Sequence, residues 1–402
     1  MPRIILTLFA LVCLGLLPAC ASAPKHHAVP EALASEATVY GLTDIRFWGD
    51  ELPPDFDARL EKEADILNKL LADRVQNGGE PVLNMLAMSA GGADGAFGAG
   101  LLVGWSAAGT RPQFDMVTGV STGALAAPFV FLGPEYDNVL KEAYTTITKR
   151  DIYKSCFFCV IFGGPAFAKT KPLQAMIRGL VTPEVFAEIA REHRTGRALW
   201  IATTNLDAGR PVIWDIGALA NSGHPEALAL FHDILLASSA VPGLFPPVQI
   251  AVEAGGETYD ELHVDGGTTT LTFLYPPEVS ARDFFARLGF EVKPSLYVIL
   301  NTRVPPQYEA VETDLFAIAE RSLSTAIRYK EIGDALRIYE IARRDGIDFN
   351  LAIIPRDFTL KSEEDFDQAY MNALFDFAYD LSNNGYLWLN APPGIGHDLP
   401  VE

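Results

Sequence analysis

The chain has 402 residues, of which 49% are hydrophobic and 20% charged, and 31 Lys+Arg against 51 Asp+Glu give a net charge of −20. The hydrophobic content excludes an intrinsically disordered chain, and four cysteines are too few for a small domain held together by disulfides. Because so acidic a chain is repelled by phosphate backbones and anionic lipids, we expect no nucleic-acid partner, and membrane contact should be hydrophobic or covalent.

Residues 1–19 have the pattern of a signal peptide. Arg3 precedes the apolar run 4–17, which is shorter than the ~20 residues that a membrane-spanning helix needs. The run leads to Leu-Pro-Ala-Cys, ending at Cys20, which resembles a bacterial lipobox, where the cysteine is acylated and cleavage falls before it. This resemblance implies a membrane-anchored lipoprotein of the cell envelope, on the periplasmic or outer-membrane side. An ordinary secretory signal, with Cys20 incidental and the protein secreted, is the alternative.

Hydrophobic periodicity predicts the elements that follow. The segment 20–79 is expected to hold a lipidated tether, an extended segment to about residue 54 and a helix over 60–75 that ends at glycines. The predicted strands are 81–88, 114–120, 198–204, 211–215 and 296–301, and the predicted helices are 96–108, 122–132, 183–193, 226–239, 310–344 and 363–381. This alternation indicates an α/β fold with a mostly parallel central sheet and additional C-terminal helices. We assign residues 80–390 to one domain and 391–402 to a C-terminal tail.

A serine lies at the turn between a predicted strand and a predicted helix. Gly119-Val120-Ser121-Thr122-Gly123 has the pattern G-x-S-x-G, in which glycines suit the crowded positions beside a sharp turn. The hydroxyl is then held at a helix N-terminus, where backbone amides and the helix dipole favour negative charge. Ser121 is therefore a candidate nucleophile, although a tight turn without chemistry has the same pattern.

A second glycine-rich turn, SAGGADG at positions 89–95, also follows a strand and opens a helix. Acyl transfer creates an oxyanion, and loss of one backbone N–H group aimed at it costs roughly 10²–10³ in rate. Since glycines let the backbone approach a substrate closely, we expect Gly91, Gly92 and Ala93 to donate these N–H groups. Phosphate binding is the alternative, but the Rossmann glycine spacing and the P-loop lysine are missing.

An aspartate followed by two glycines, Asp265-Gly266-Gly267, ends a strand far along the chain. A carboxylate bonded to a serine hydroxyl can accept its proton during attack and return it to the leaving alkoxide. A solvated Asp-Gly turn is the alternative reading of this segment. Apart from adjacent His26 and His27, no histidine pair has the spacing of zinc ligands, so we expect no metal.

Together these segments resemble the patatin-like phospholipase family. The resemblance is carried by AGGADGAFGAGLL, GVSTG, IATTNLDAG, ASSAVPGLFPP and VDGG, and it runs over residues 82–267. It implies a three-layer α/β/α fold, hydrolysis of lipid, phospholipid or other esters, and a Ser-Asp dyad without metal or cofactor. On this basis Ser121 is the nucleophile, Asp265 is the base and then the acid, and residues 237–247 shape an acyl-chain channel. The residues that support the two turns and the dyad are Asp94, Gly95, Gly119, Gly123 and Gly266.

Asp94 departs from the family, whose loop usually has a lysine or arginine at that position. A carboxylate within ~6 Å of the developing oxyanion opposes it, so we expect Asp94 to cap the helix that begins at Gly95 and to point away from substrate. Two alternatives follow: a catalytically impaired, lipid-binding lipoprotein, and a Ser-His-Asp esterase that uses His397, the one histidine after Asp265.

The sequence Cys156-Phe-Phe-Cys159 has phenylalanines where a redox motif has polar residues, glycine or proline. We therefore expect structural cysteines, joined by a local disulfide in an oxidising compartment. The apolar stretch 156–167 predicts either a flap near the lipid entrance or buried packing. The expected partners are a lipid or ester substrate and a membrane reached through the lipid anchor, and no oligomeric state is predicted.

Overall fold

The structure, a computed structural model of the chain, describes residues 26–53, 55–156, 164–304, 306 and 308–393. The predicted signal peptide, Cys20, Cys159 and His397 lie outside these residues. Within the described ranges, no helix combines the length and the apolar character that crossing a bilayer requires.

Among the described residues, a nine-stranded sheet forms the centre of the molecule. The strands are β1 (Arg46–Trp48), β2 (Val82–Met88), β3 (Met116–Gly119), β4 (Lys154–Ser155), β5 (Ala168–Lys169), β6 (Ala198–Asn205), β7 (Arg210–Asp215), β8 (Val248–Ala254), β9 (Glu257–Asp265), β10 (Lys293–Leu300) and β11 (Asp348–Ile353). Strands β6, β3, β2, β10 and β11 are neighbours in that order and run parallel. Strands β1, β7, β8 and β9 extend the sheet with antiparallel pairing, and β4 and β5 form a separate hairpin. The mostly parallel sheet predicted from the sequence is confirmed.

Twelve helices lie in the part of the chain that the structure describes. They are α1 (Phe56–Gln76), α2 (Gly95–Ala107), α3 (Thr122–Leu132), α4 (Asp137–Thr145), α5 (Lys149–Ile152), α6 (Lys171–Leu180), α7 (Pro183–His193), α8 (Ile216–Asn221), α9 (Ala227–Ser238), α10 (Ala281–Phe285), α11 (Leu315–Asp345) and α12 (Gln368–Asn383). Helices α2, α3, α4 and α12 contribute to the larger hydrophobic core, and α11 contributes to a second core. These helices therefore cover opposite faces of the sheet, which gives the expected α/β/α layers.

The apolar run of β2 follows from its position between these two cores. Leu86 and Met88 enter the larger core, whereas Met85 and Ala87 enter the second one. Alternate side chains of a strand point to opposite faces, so a strand buried on both faces needs apolar residues at successive positions. The same burial explains why the sequence predicted this strand to within one residue.

The N-terminal segment from residue 26 onward contacts the central sheet. Val39 and Ile45 are buried, and the N–H of Thr38 donates to the carbonyl of Glu253 at 3.0 Å. Strand β1 then pairs with β7 at the antiparallel end of the sheet. The described residues that precede α1 therefore pack on the domain, with β1 as an edge strand.

Candidate active site

Ser121 lies in a strained turn between β3 and α3. Its φ of 53° and ψ of −120° fall in a region that residues other than glycine seldom adopt. The N–H of Ser121 donates to Ser238 Oγ at 3.0 Å, and the Ser238 hydroxyl donates to the carbonyl of Ala202 at 2.8 Å. Ser238, at the end of α9, thus ties the turn to β6. A serine held in this way at the start of a helix is the arrangement of a nucleophile turn.

The glycines beside Ser121 are required by close packing. A Cβ atom at Gly119 would lie 2.6 Å from the carbonyl oxygen of Gly123. A Cβ atom at Gly123 would lie 2.5 Å from the carbonyl oxygen of Met88 at the end of β2. Any side chain at either position would displace the turn from the sheet.

Asp265 lies at the end of β9, beside Ser121. Strand β9 pairs with β6 through Asp265 and Thr203, and β6 also pairs with β3, which leads into the serine turn. The side chain of Ser121 is close enough to the carboxylate of Asp265 to lower its pKa, and this carboxylate accepts the N–H of Gly267 at 2.7 Å. The sheet therefore brings together two residues that are far apart in the sequence.

The environment of Asp265 adjusts its protonation. Burial raises the pKa of Asp265 to about 6, while the Ser121 side chain, the hydrogen bond from the Gly267 N–H and the charge of Lys330 lower it. A group with such a pKa is ionised at neutral pH and still has substantial proton affinity. The carboxylate can therefore accept the proton of the Ser121 hydroxyl.

The glycine loop has N–H groups available for a ligand. Gly91 precedes a single 3-10 turn, Gly92–Asp94, that leads into α2. Among the described residues, the N–H groups of Gly91, Gly92 and Ala93 have no hydrogen-bond acceptor, whereas the N–H of Ala90 donates to the carbonyl of Leu271 at 2.9 Å. The three residues that the sequence indicated are thus free to donate to a developing oxyanion.

Asn301, directly after β10, holds this loop and was missed by the sequence analysis. Its side-chain amide donates to the carbonyl of Ser89 at 3.0 Å and its carbonyl oxygen accepts the N–H of Gly98 at 3.1 Å. A Cβ atom at Gly91 would lie 2.0 Å from the main-chain oxygen of Asn301, so the loop fits only without a side chain there. The one available signal was its position at the end of a predicted strand.

Asp94 does not cap helix α2 with its side chain, so that expectation is wrong. Its carboxylate instead accepts the hydroxyl of Tyr370, on α12, at 2.5 Å. Arg303 donates to the same hydroxyl at 3.3 Å. Burial raises the pKa of Asp94 to about 6, and the Tyr370 hydrogen bond and the Arg303 charge lower it. A buried partner, rather than the first turn of the helix, satisfies this carboxylate.

An apolar cavity adjoins both turns. Gly92 of the glycine loop and Thr122, the neighbour of Ser121, contribute to its wall, and the remaining lining residues are mostly leucine, isoleucine, methionine and phenylalanine. Its empty volume is about 590 Å³, open solvent at the mouth included. Residues 237–247 contribute nothing to this lining; instead the carbonyl of Ala240 accepts the N–H of Asp265 at 3.0 Å. The expectation that this stretch shapes an acyl channel does not apply to this cavity.

Other candidate residues have structural surroundings. His263 is fully buried, with Nδ1 at 2.9 Å from Thr203 Oγ1 and Nε2 at 2.9 Å from Glu261, which are the surroundings of a core histidine. Cys156 is disulfide-bonded, and the other three cysteines lie outside the described residues. Within the described ranges, no cluster of three or more His, Cys, Asp or Glu residues could hold a metal ion.

These features define a class of protein, the acyl-ester hydrolases, and comparison with known families is consistent with it. Residues 86–274 match the family described as patatin-like phospholipase. This stretch is a patatin-like phospholipase domain, which confirms the resemblance stated from the sequence and supports lipid hydrolysis as the general activity.

Solved structures with low sequence identity also match. VipD from Legionella pneumophila is 14% identical, with 77% of this chain and 68% of that chain covered and a TM-score of 0.34. Human GIVD cytosolic phospholipase A2 is 12% identical, with 78% and 52% covered and a TM-score of 0.29, so the matched region spans about half of that protein. No curated protein matches the chain.

Proposed function

We propose that this protein hydrolyses acyl esters of lipids with Ser121 as nucleophile and Asp265 as general base. The main support is the proximity of the Ser121 side chain to the buried Asp265 carboxylate, whose pKa it lowers, at the ends of two strands that pair with the same edge of β6. The free N–H groups of the glycine loop and the apolar cavity meet the two other requirements, stabilisation of charge and an apolar surface for an acyl chain.

The proposed reaction has two steps. Asp265 accepts the Ser121 proton while Oγ attacks the ester carbon, and N–H groups of Gly91, Gly92 and Ala93 stabilise the oxyanion. The proton passes to the leaving alkoxide as the ester bond breaks, which leaves an acyl-serine. Asp265 then takes a proton from water, whose oxygen attacks the acyl carbon, and this proton returns to Ser121 Oγ as the carboxylic acid departs.

Labelling with a fluorophosphonate tests this proposal directly. We expect the purified mature protein to form a covalent adduct, located by mass spectrometry on Ser121, because the activated hydroxyl attacks phosphorus as it attacks an ester carbon. A folded protein that resists labelling would favour the lipid-binding alternative. If removal of residues 391–402 abolished labelling, the esterase alternative with His397 would be favoured.

We further propose that Cys20 carries a lipid anchor in the cell envelope. The support is the lipobox-like sequence that ends at Cys20, after an apolar run too short to span a bilayer. A single acyl chain gives marginal membrane binding and two give stable anchoring. In a bacterial host, Cys20→Ser should move the protein from the membrane fraction to the soluble fraction. An unchanged distribution would support an ordinary secretory signal or another mode of attachment.

A further inference from the structure

We infer that Lys330 of helix α11 is a positioning residue for Asp265: its ammonium holds the turn that carries the carboxylate and places a positive charge beside it. The inference rests on the function proposed above. Lys330 lies beyond the stretch 86–274 that matches the family, in one of the helices that follow it.

The first support is the hydrogen bonding of Gly267. Lys330 Nζ donates to the carbonyl of Gly267 at 2.8 Å, and the N–H of the same glycine donates to Asp265 Oδ1 at 2.7 Å. Gly267 is thus held by the lysine on one side while it binds the carboxylate on the other. Loss of the ammonium would free the carbonyl and loosen the turn that orients Asp265.

The second support is that α11 holds the same segment at another point. Asp334, one helical turn after Lys330, accepts the N–H of Leu271 at 2.7 Å through its side chain. The carbonyl of Leu271 accepts the N–H of Ala90, directly before the loop that offers its amides to the oxyanion. One helix face therefore connects the turn after Asp265 with the glycine loop.

The third support is electrostatic. Asp265 faces the Ser121 hydroxyl, the Gly267 N–H and Lys330, and the lysine charge lowers the pKa of Asp265 against the effect of burial. Burial lowers the pKa of Lys330 itself and Arg337 lowers it further, while the charges of Asp334 and Asp265 raise it, as does Glu331 when it is ionised.

Glu331 also bears on the charge around Lys330. Burial, together with the nearby charge of Asp334, raises the pKa of Glu331 to about 8, although Ser89 and Lys330 lower it. Glu331 is therefore mostly neutral at pH 7 and neutralises little of the ammonium charge. Without the ammonium, Asp265 should bind its proton more tightly.

Three substitutions separate charge from hydrogen bonding. Lys330→Met removes both, Lys330→Gln keeps a donor without the charge, and Lys330→Arg keeps both. For Lys330→Met we expect kcat on a soluble acyl ester to fall by about 10-fold to 100-fold with KM within about twofold. The acidic limb of the kcat/KM profile should move up by about one pH unit, because an adjacent opposite charge is lost. Lys330→Gln should show the same shift with a smaller loss of kcat. Lys330→Arg should keep the acidic limb of the profile at its wild-type position.

The control is Lys293→Met, which removes a lysine that is ion-paired with Glu80 at 2.9 Å on the surface. It should leave the pH profile unchanged. The inference is overturned if Lys330→Gln and Lys330→Met keep the acidic limb of the wild-type kcat/KM profile. It is also overturned if urea titrations show that the fraction of unfolded protein under assay conditions accounts for the whole loss of kcat. Ser121→Ala is assayed in parallel, and turnover that survives this change refutes the proposed function. If Ser121→Ala is inactive but the Lys330 variants have the same acidic limb as the wild type, only the positioning role is refuted.

Discussion

Replacement of Ser121 with alanine should lower kcat on acyl esters by about 10⁴-fold or more, since the nucleophile is removed while the loop amides and the cavity stay in place. KM should change little, because no binding contact of the acyl chain is altered. The measurement is steady-state turnover of a soluble ester and of dispersed lipid, together with fluorophosphonate labelling, which should disappear. Turnover within tenfold of the wild type would exclude Ser121 as the nucleophile.

A matched variant separates chemistry from folding. Because φ is 53° at Ser121, a residue with a Cβ atom is strained there, and Ser121→Gly should relieve that strain. We expect Ser121→Gly to be as inactive as Ser121→Ala yet more stable by about 1–2 kcal/mol in urea unfolding. A glycine variant less stable than the alanine variant would show that the turn is not strained.

The nucleophile turn was predictable because its causes are local. The turn needs a buried strand, a helix start and glycines where side chains would collide, such as Gly123, whose Cβ would lie 2.5 Å from Met88 O. Each of these requirements leaves a mark within about ten residues of sequence. For the same reason strand β2 and helix α3 were predicted nearly to the residue.

The supporting contacts could not be predicted, because their partners are distant in the chain and many are main-chain groups. Asn301 binds Ser89 across 212 positions, and Lys330 binds Gly267 across 63. Asp94 finds its partner, Tyr370, 276 positions away, which is why local reasoning favoured a helix cap. Every residue has a main-chain carbonyl, so an acceptor of this kind leaves no signal in the sequence. No sequence pattern therefore distinguishes Asn301 or Lys330 from other polar residues.

Replacement of Asp265 with asparagine should lower kcat/KM by about 10²-fold to 10⁴-fold, the usual contribution of a general base. In the wild type, kcat/KM should fall below about pH 6 with a slope of one, because the pKa of Asp265 is about 6 and the protonated form cannot accept the serine proton. In Asp265→Asn this limb should be absent from the residual activity. A wild-type profile flat down to pH 4 would contradict the assignment of Asp265 as base.

The same substitution has an opposite effect on stability. Burial raises the pKa of Asp265 from 3.8 to about 6, so the folded state holds the proton more tightly than the unfolded chain does. The stability that this provides is fully present below pH 3.8 and is lost as pH rises through 6. Asp265→Asn does not ionise, so we expect it to exceed the wild type by about 1–3 kcal/mol at pH 7 and by much less at pH 4, measured by urea unfolding. If this carboxylate is buried for its reactivity, ionisation of the base should make the enzyme less stable. A difference in stability between Asp265→Asn and the wild type that is equal at pH 7 and pH 4 would argue against that role.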